Sequence, residues 1–134
     1  IEAWYPGSAW NPDVESLAFC GDWEPYWGRT TYASMGGCYY AARLAVVEAL
    51  SRERRQAQVL VLREARPGYL MPIGVWIVRE AVRRALKTRP ATFNTAEEAL
   101  SYAFSKLKIS PVEWFKVSKL LSDLKRQEKL TKYL

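Results

Sequence analysis

Residues 36–64 constrain the fold more than any other stretch, because the hydrophobic period changes within them. The first part carries apolar residues at helical spacing: Tyr40, Leu44, Val47 and Leu50. Residues 59–62 are then continuously apolar, a run short enough for a strand covered on both faces. Because a covered strand needs layers on either side, we expect an α+β fold with at least four helices around a small sheet. Its interior strand is predicted at residues 58–64.

Three further helices are predicted downstream. The first covers residues 73–87, with its inward positions at helical spacing: Val75, Val78, Val82 and Ala85. Thr95, followed three residues later by Glu98, forms a capping box that begins the next helix. Ser110 before Pro111 marks the start of a fourth, which we expect to continue through residue 124. Its inward stripe is formed by Trp114, Val117, Leu121 and Leu124.

The first 36 residues alternate aromatic residues with Pro and Gly, which excludes a long helix. Short strands are expected at residues 2–5 and 14–19. We expect the aromatic side chains to pack loops onto the core, although such rings can also stack on single-stranded bases. The chain is therefore divided into residues 1–36, continuing a domain truncated at its N-terminus, a helix and strand core at 37–125, and a flexible tail at 126–134.

Charge is distributed unevenly along the chain. Residues 1–28 carry −5 and no basic residue, and since the whole chain carries +6, residues 29–134 carry +11. A basic surface of this size can attract nucleic acid, or it can simply keep the domain soluble. If DNA binds directly, the candidate contacts are the arginines of the predicted helices and of the segment between them: Arg43, Arg52, Arg55, Arg79, Arg83 and Arg84.

Composition excludes several kinds of catalytic site within this chain. There is no histidine, and two cysteines cannot supply a four-cysteine zinc site. No complete catalytic constellation is visible, so the catalytic residues are unknown and no metal site is predicted. A metal-dependent nuclease remains an alternative, with Glu64, Glu80 and one of Asp13, Glu15 or Asp22 as ligands if the fold brings them together. No apolar run reaches membrane-spanning length, so no membrane partner is expected.

The last residues resemble the peptide that binds the PCNA sliding clamp. The matching positions are Gln127, Leu130, Tyr133 and Leu134. One helical turn would place the three apolar side chains on one side as a plug, with the Gln127 amide at the rim of the partner's pocket. The alternative is a frayed helix end whose Leu and Tyr fold back on the core.

Several longer stretches resemble the C-terminal half of the archaeal Nre proteins. They are GRTTYA at residues 28–33, GCYYAARLAVVE at 37–48, RQAQVLVLRE at 55–64, GVWIVRE at 74–80, and Trp114 with SKLL at 118–121. The resemblance implies a role in archaeal DNA repair, a cytoplasmic, chromosome-associated location and the sliding clamp as partner. Members of the family carry a cysteine-rich, zinc-binding segment near the N-terminus. That segment is absent here, which favours a fragment, and this chain itself shows no evident cofactor.

Overall fold

The computed structural model describes residues 1–71 and 74–131, and from residue 128 onward it describes only the backbone. Within these residues lie three strands and five helices: β1 Glu2–Trp4, β2 Ala18–Cys20, α1 Gly37–Glu53, β3 Arg63–Ala65, α2 Trp76–Lys87, α3 Ala96–Ser105, α4 Pro111–Val117 and α5 Lys119–Thr131. The predicted α+β class is confirmed. The chain forms two compact units, Ile1–Pro90 with the sheet, α1 and α2, and Ala91–Leu134 with α3, α4 and α5.

The sheet has the order β2–β1–β3, with β1 antiparallel to β2 and parallel to β3. The predicted interior strand at residues 58–64 is wrong in its position. Residues 57–62 have no regular secondary structure, and β3 pairs only at Arg63–Ala65, beside the central β1. The pairing partner decides this, because Arg63 N donates to Ile1 O and Tyr5 N donates to Ala65 O, both at 3.0 Å. The strand predicted at residues 14–19 likewise forms later, at Ala18–Cys20.

Helices α1 and α2 pack against each other through small side chains. Ala41 and Ala45 are the buried residues of α1, whereas Leu44 and Val47, predicted to face inward, are exposed. At the start of α1, a Cβ atom on Gly37 would lie 2.9 Å from Val75 Cγ1. A residue larger than Gly would therefore collide with Val75 at position 37, and on the α2 side Val78 is buried.

The second unit has a core of Phe104, Ile109, Trp114 and Leu121. Its first start signal is confirmed, because the Thr95 hydroxyl accepts a hydrogen bond from Glu98 N at 3.2 Å. The prediction of a single helix from Ser110 to residue 124 is wrong, because the helix is interrupted at Ser118. This buried residue adopts an extended conformation, and its hydroxyl accepts a hydrogen bond from Leu121 N at 3.2 Å. Ser118 therefore ends α4 and caps α5.

Helix α5 continues to Thr131, so residues 126–131 of the predicted flexible tail have a helical backbone. Tyr133 and Leu134 lie outside the described residues. None of the helices within residues 1–71 and 74–131 combines the length and apolar character needed to cross a lipid bilayer.

Candidate functional site

One arginine joins α1 to α2. Arg83 of α2 donates Nε and Nη2 to the two carboxylate oxygens of Glu48 on α1, at 2.9 and 2.6 Å. Its third nitrogen, Nη1, donates to Glu80 at 2.6 Å. These hydrogen bonds from Arg83 lower the pKa of both Glu48 and Glu80. All three guanidinium nitrogens are thus occupied within the protein, which makes Arg83 primarily a link between helices.

Four of the other five candidate arginines are also placed next to carboxylates. Arg52 lies 4.0 Å from Glu48, and Arg55 lies 3.4 Å from Glu53. Arg43 and Arg79 each donate Nε to a neighbouring carboxylate. Arg84 lies exposed in the last turn of α2, together with Lys87. Much of the positive charge is therefore balanced locally, and direct DNA binding by these six residues stays a prediction.

The acidic residues considered for a metal site are dispersed. Glu64 binds the guanidinium of Arg66 at 2.8 Å, and Asp22 binds Arg29 at 2.9 Å. Among the residues the structure describes, no three His, Cys, Asp or Glu side chains are close enough to hold one ion. The nuclease alternative stays a prediction.

The loop before α1 is organised around Asp22. Its carboxylate accepts hydrogen bonds from Arg29 Nη2 at 2.9 Å, Ser34 N at 2.8 Å and Trp23 N at 2.8 Å. Arg29 also donates to the carbonyl oxygens of Trp23 and Thr31. The hydrogen bond from Arg29, assisted by the two backbone amides, holds the pKa of Asp22 well below its ordinary value of about 4. The ion pair therefore fixes the path of residues 22–34.

An apolar groove, here called the Tyr32 groove, lies in the first unit along the N-terminal parts of α1 and α2. It has a volume of about 660 Å³. Tyr32 is 73% exposed and Trp76 is 50% exposed, although both are large aromatic residues. Besides Gly37 and Ala41, six larger side chains line it: Tyr32, Tyr40, Leu44, Val75, Trp76 and Arg79. Exposed apolar surface collected in a concave site is typical of a binding site.

A second, smaller cavity of about 320 Å³, here called the Arg43 recess, adjoins the groove. Tyr32 and Tyr40 line both cavities, whereas Glu24 and Arg43 are among the residues that line only the recess. Arg43 Nε donates to both carboxylate oxygens of Glu24, at 2.9 and 3.0 Å. The two tyrosines are thus flanked by Arg43 in the recess and by Arg79 in the groove.

The sequence prediction that the early aromatics pack onto the core is wrong for several of them. Tyr26 and Trp27 are 86% and 84% exposed, and Tyr32 faces the groove. The groove was not predicted, because its residues come from a loop and two helices that are distant in sequence. A signal was nevertheless present, since Trp76 lies off the predicted inward stripe of its helix, where a large aromatic residue has no role in the core.

The clamp-like residues fall mostly beyond what the structure describes. Gln127 is exposed on α5. The side chains of Leu130, Tyr133 and Leu134 lie outside the described part, so their predicted role in clamp binding stays a prediction. The two cysteines, Cys20 and Cys38, are half-buried free thiols, and burial raises the pKa of each.

Comparison with known proteins identifies the family. Residues 24–133 match the family described as "Archaeal Nre, C-terminal". The chain is 43% identical to DNA repair protein NreB of Archaeoglobus fulgidus over 120 residues, which cover 90% of this chain and 30% of that protein. It is 43% identical to DNA repair protein NreA of the same organism over 103 residues, or 77% of this chain and 26% of the relative.

A third relative comes from another organism. DNA repair protein NreA of Haloferax volcanii is 38% identical over 129 residues, covering 95% of this chain and 28% of that protein. The chain therefore spans less than a third of the length of these relatives. No solved structure matches it significantly. Because the family match extends over most of its length, the chain belongs to the archaeal Nre family and corresponds to its C-terminal region.

Proposed function

We propose that this chain is the C-terminal region of an archaeal DNA-repair protein and that it binds the sliding clamp through its last residues. The observation that carries the proposal is the spacing of Gln127, Leu130, Tyr133 and Leu134, in a family whose relatives are named DNA repair proteins. Tethering to a clamp raises the local concentration of a repair protein at DNA without requiring new contacts to DNA.

Helix α5 supports the proposal in the part where its side chains are described. Leu121 is fully buried and Leu124 is half-buried, whereas the side chains of Lys125, Arg126 and Gln127 are exposed. The helix therefore leaves the core of its unit as the motif begins. An exposed start of this kind suits a peptide that must reach a pocket on a partner.

The test is calorimetric titration of the chain against the sliding clamp of its source organism. We expect simultaneous replacement of Tyr133→Ala and Leu134→Ala to weaken binding at least about 10-fold, because buried anchor residues dominate such interfaces. The matched control is Thr131→Ala with Lys132→Ala, which changes positions that the motif leaves open and should preserve affinity. Point variants are preferable to deletion of residues 126–134, since that deletion would also remove the end of α5.

The proposal fails if the parent chain does not bind the clamp, or if the Tyr133 and Leu134 variant binds as tightly as the parent. Far-UV circular dichroism of each variant establishes that the helices are intact. Loss of affinity in the control pair to the same extent would also contradict the proposal, because the motif assigns those positions no contact.

A further inference from the structure

We propose that the Tyr32 groove, together with the Arg43 recess, binds a single-stranded polynucleotide, with a base stacked on Tyr32 and neighbouring phosphates bound by Arg43 and Arg79. The sliding-clamp proposal concerns the opposite end of the chain and other residues. The two proposals can therefore succeed or fail independently.

The aromatic platform is held in place before any ligand binds. The rings of Tyr32 and Tyr40 lie 4.9 Å apart between centroids, and the Tyr40 hydroxyl accepts a hydrogen bond from Ala33 N at 3.1 Å. Tyr40 also meets Tyr39 edge to face at 5.5 Å. Tyr39 in turn lies 5.1 Å from the Arg29 guanidinium, which Asp22 fixes. Because Tyr40 and its neighbours already support the Tyr32 ring, stacking of a base on it would cost little conformational entropy.

The ring that would stack is accessible, unlike the residues that support it. Tyr32 is 73% exposed, whereas Ala33 beside it is buried. Trp76, half-exposed, contributes a second aromatic surface to the same groove. Stacking on exposed aromatic rings is the sequence-tolerant contact through which proteins bind single strands, because every base has a planar face.

The two flanking arginines retain capacity for an anion. Arg43 and Arg79 are 46% and 38% exposed, and each donates Nε to a carboxylate. Within the described residues, their terminal guanidinium nitrogens make no hydrogen bond. An arginine in this state can present these nitrogens to a phosphate. Arg29 and Arg83 differ, since all their nitrogens are bound within the protein.

This arrangement favours a polynucleotide over other occupants. Each guanidinium is paired with a carboxylate through Nε, so the preference for an anion comes from the terminal nitrogens, which offer donors and no acceptor. An apolar helix in the groove would leave these donors desolvated. An acidic peptide could pair with the arginines, but it would gain little from the Tyr32 ring. A polynucleotide alternates planar bases with anionic phosphates. These groups match the Tyr32 ring and the guanidinium groups of Arg43 and Arg79 that flank it. DNA and RNA share this chemistry, so the experiment includes both.

The test measures fluorescence anisotropy of a labelled (dT)15 strand titrated with the whole chain. We expect Tyr32→Ala to weaken binding about 5- to 150-fold, the range for loss of one stacked base, and Tyr32→Phe to retain it. The matched control is Tyr102→Ala, which removes a tyrosine that is 45% exposed from α3 in the second unit. Arg79→Gln should lower the slope of log affinity against log salt by about one.

Several outcomes would overturn the inference: no binding of (dT)15, equal losses for the Tyr32→Ala and Tyr102→Ala variants, or equally tight binding of a 15-residue polyglutamate. The last result would reveal a surface that recognises charge alone. Comparison with (U)15 distinguishes the sources of the ligand, because weaker binding of (U)15 assigns the site to DNA and equal binding assigns it to either strand. Melting temperatures check that Tyr32→Ala, at an exposed position, leaves the fold intact.

Discussion

The C-terminus of α1 provides a sharp test of the backbone geometry. Arg54 has φ +52° and ψ +45°, and it is the only non-glycine residue with positive φ among residues 1–71 and 74–131. This left-handed conformation allows Arg54 N to donate to Ser51 O at 3.2 Å and Arg55 N to donate to Leu50 O at 3.0 Å. The helix thus ends in a motif that normally uses glycine.

The expected gain follows from two opposing terms. A side chain in the left-handed region costs about 1–2 kcal/mol. Glycine removes that cost, but it increases the entropy of the unfolded chain by about 0.4–1 kcal/mol. We therefore expect the free energy of unfolding of the Arg54→Gly variant to exceed that of Arg54→Ala by about 1 kcal/mol. This difference corresponds to a melting temperature higher by about 4 °C. Comparing glycine with alanine cancels the loss of the arginine charge near the helix end.

The measurement is urea denaturation of both variants, followed by circular dichroism. The matched pair is Arg55→Gly and Arg55→Ala, at a position with negative φ, where glycine should be the less stable of the two. If glycine is no more stable than alanine at position 54, the left-handed assignment is refuted.

Two further predictions concern the core and the loop. Leu121→Ala should lower the free energy of unfolding by about 3 kcal/mol, because Leu121 is fully buried. The control Arg126→Ala, at an exposed position of α5, should change it by less than about 0.5 kcal/mol. A loss below about 1 kcal/mol for Leu121→Ala in urea denaturation would contradict this packing. Because the pKa of Asp22 is lowered in the folded state, its contribution is present above about pH 4 and is lost as the pH falls further. Asp22→Asn should therefore be less stable than the parent at pH 6, with the difference shrinking at pH 3, and parallel losses of both proteins on acidification would disprove it.

The features predicted correctly depend on local sequence. Thr95 with Glu98 caps α3 as its spacing indicates, and Pro111 begins α4 at the expected position. Both signals act within one helical turn and need no distant partner to form. Ser118 was also a local signal, because serine is a common N-cap residue. It was not recognised, because the apolar residues keep a regular helical spacing through Leu124.

The features predicted incorrectly depend on distant partners. Residues 59–62 have the composition of a strand, but β1 pairs only with residues 63–65, although Ile1 N before β1 also donates to Val61 O at 2.8 Å. Leu44 has the spacing of a core residue, but Ala41 and Ala45 are the residues of α1 that are buried. Leu44 instead lines the Tyr32 groove, together with residues of the loop before α1 and of α2. Periodicity along one element cannot reveal which neighbour comes close.

The parallel pairing of β1 with β3 has a consequence for how the first unit folds. Glu2 and Arg63 are 61 positions apart, and their side chains form an ion pair at 2.6 Å. Closing a loop of this length costs about 4 kcal/mol of chain entropy, while a pairing of three residues offers only a few hydrogen bonds of about 1 kcal/mol each. The β1–β3 pairing therefore contributes little net stability by itself, and it depends on the packing of α1, which lies in the intervening chain, against α2. We expect a weakened contact between α1 and α2 to weaken the pairing of β1 with β3.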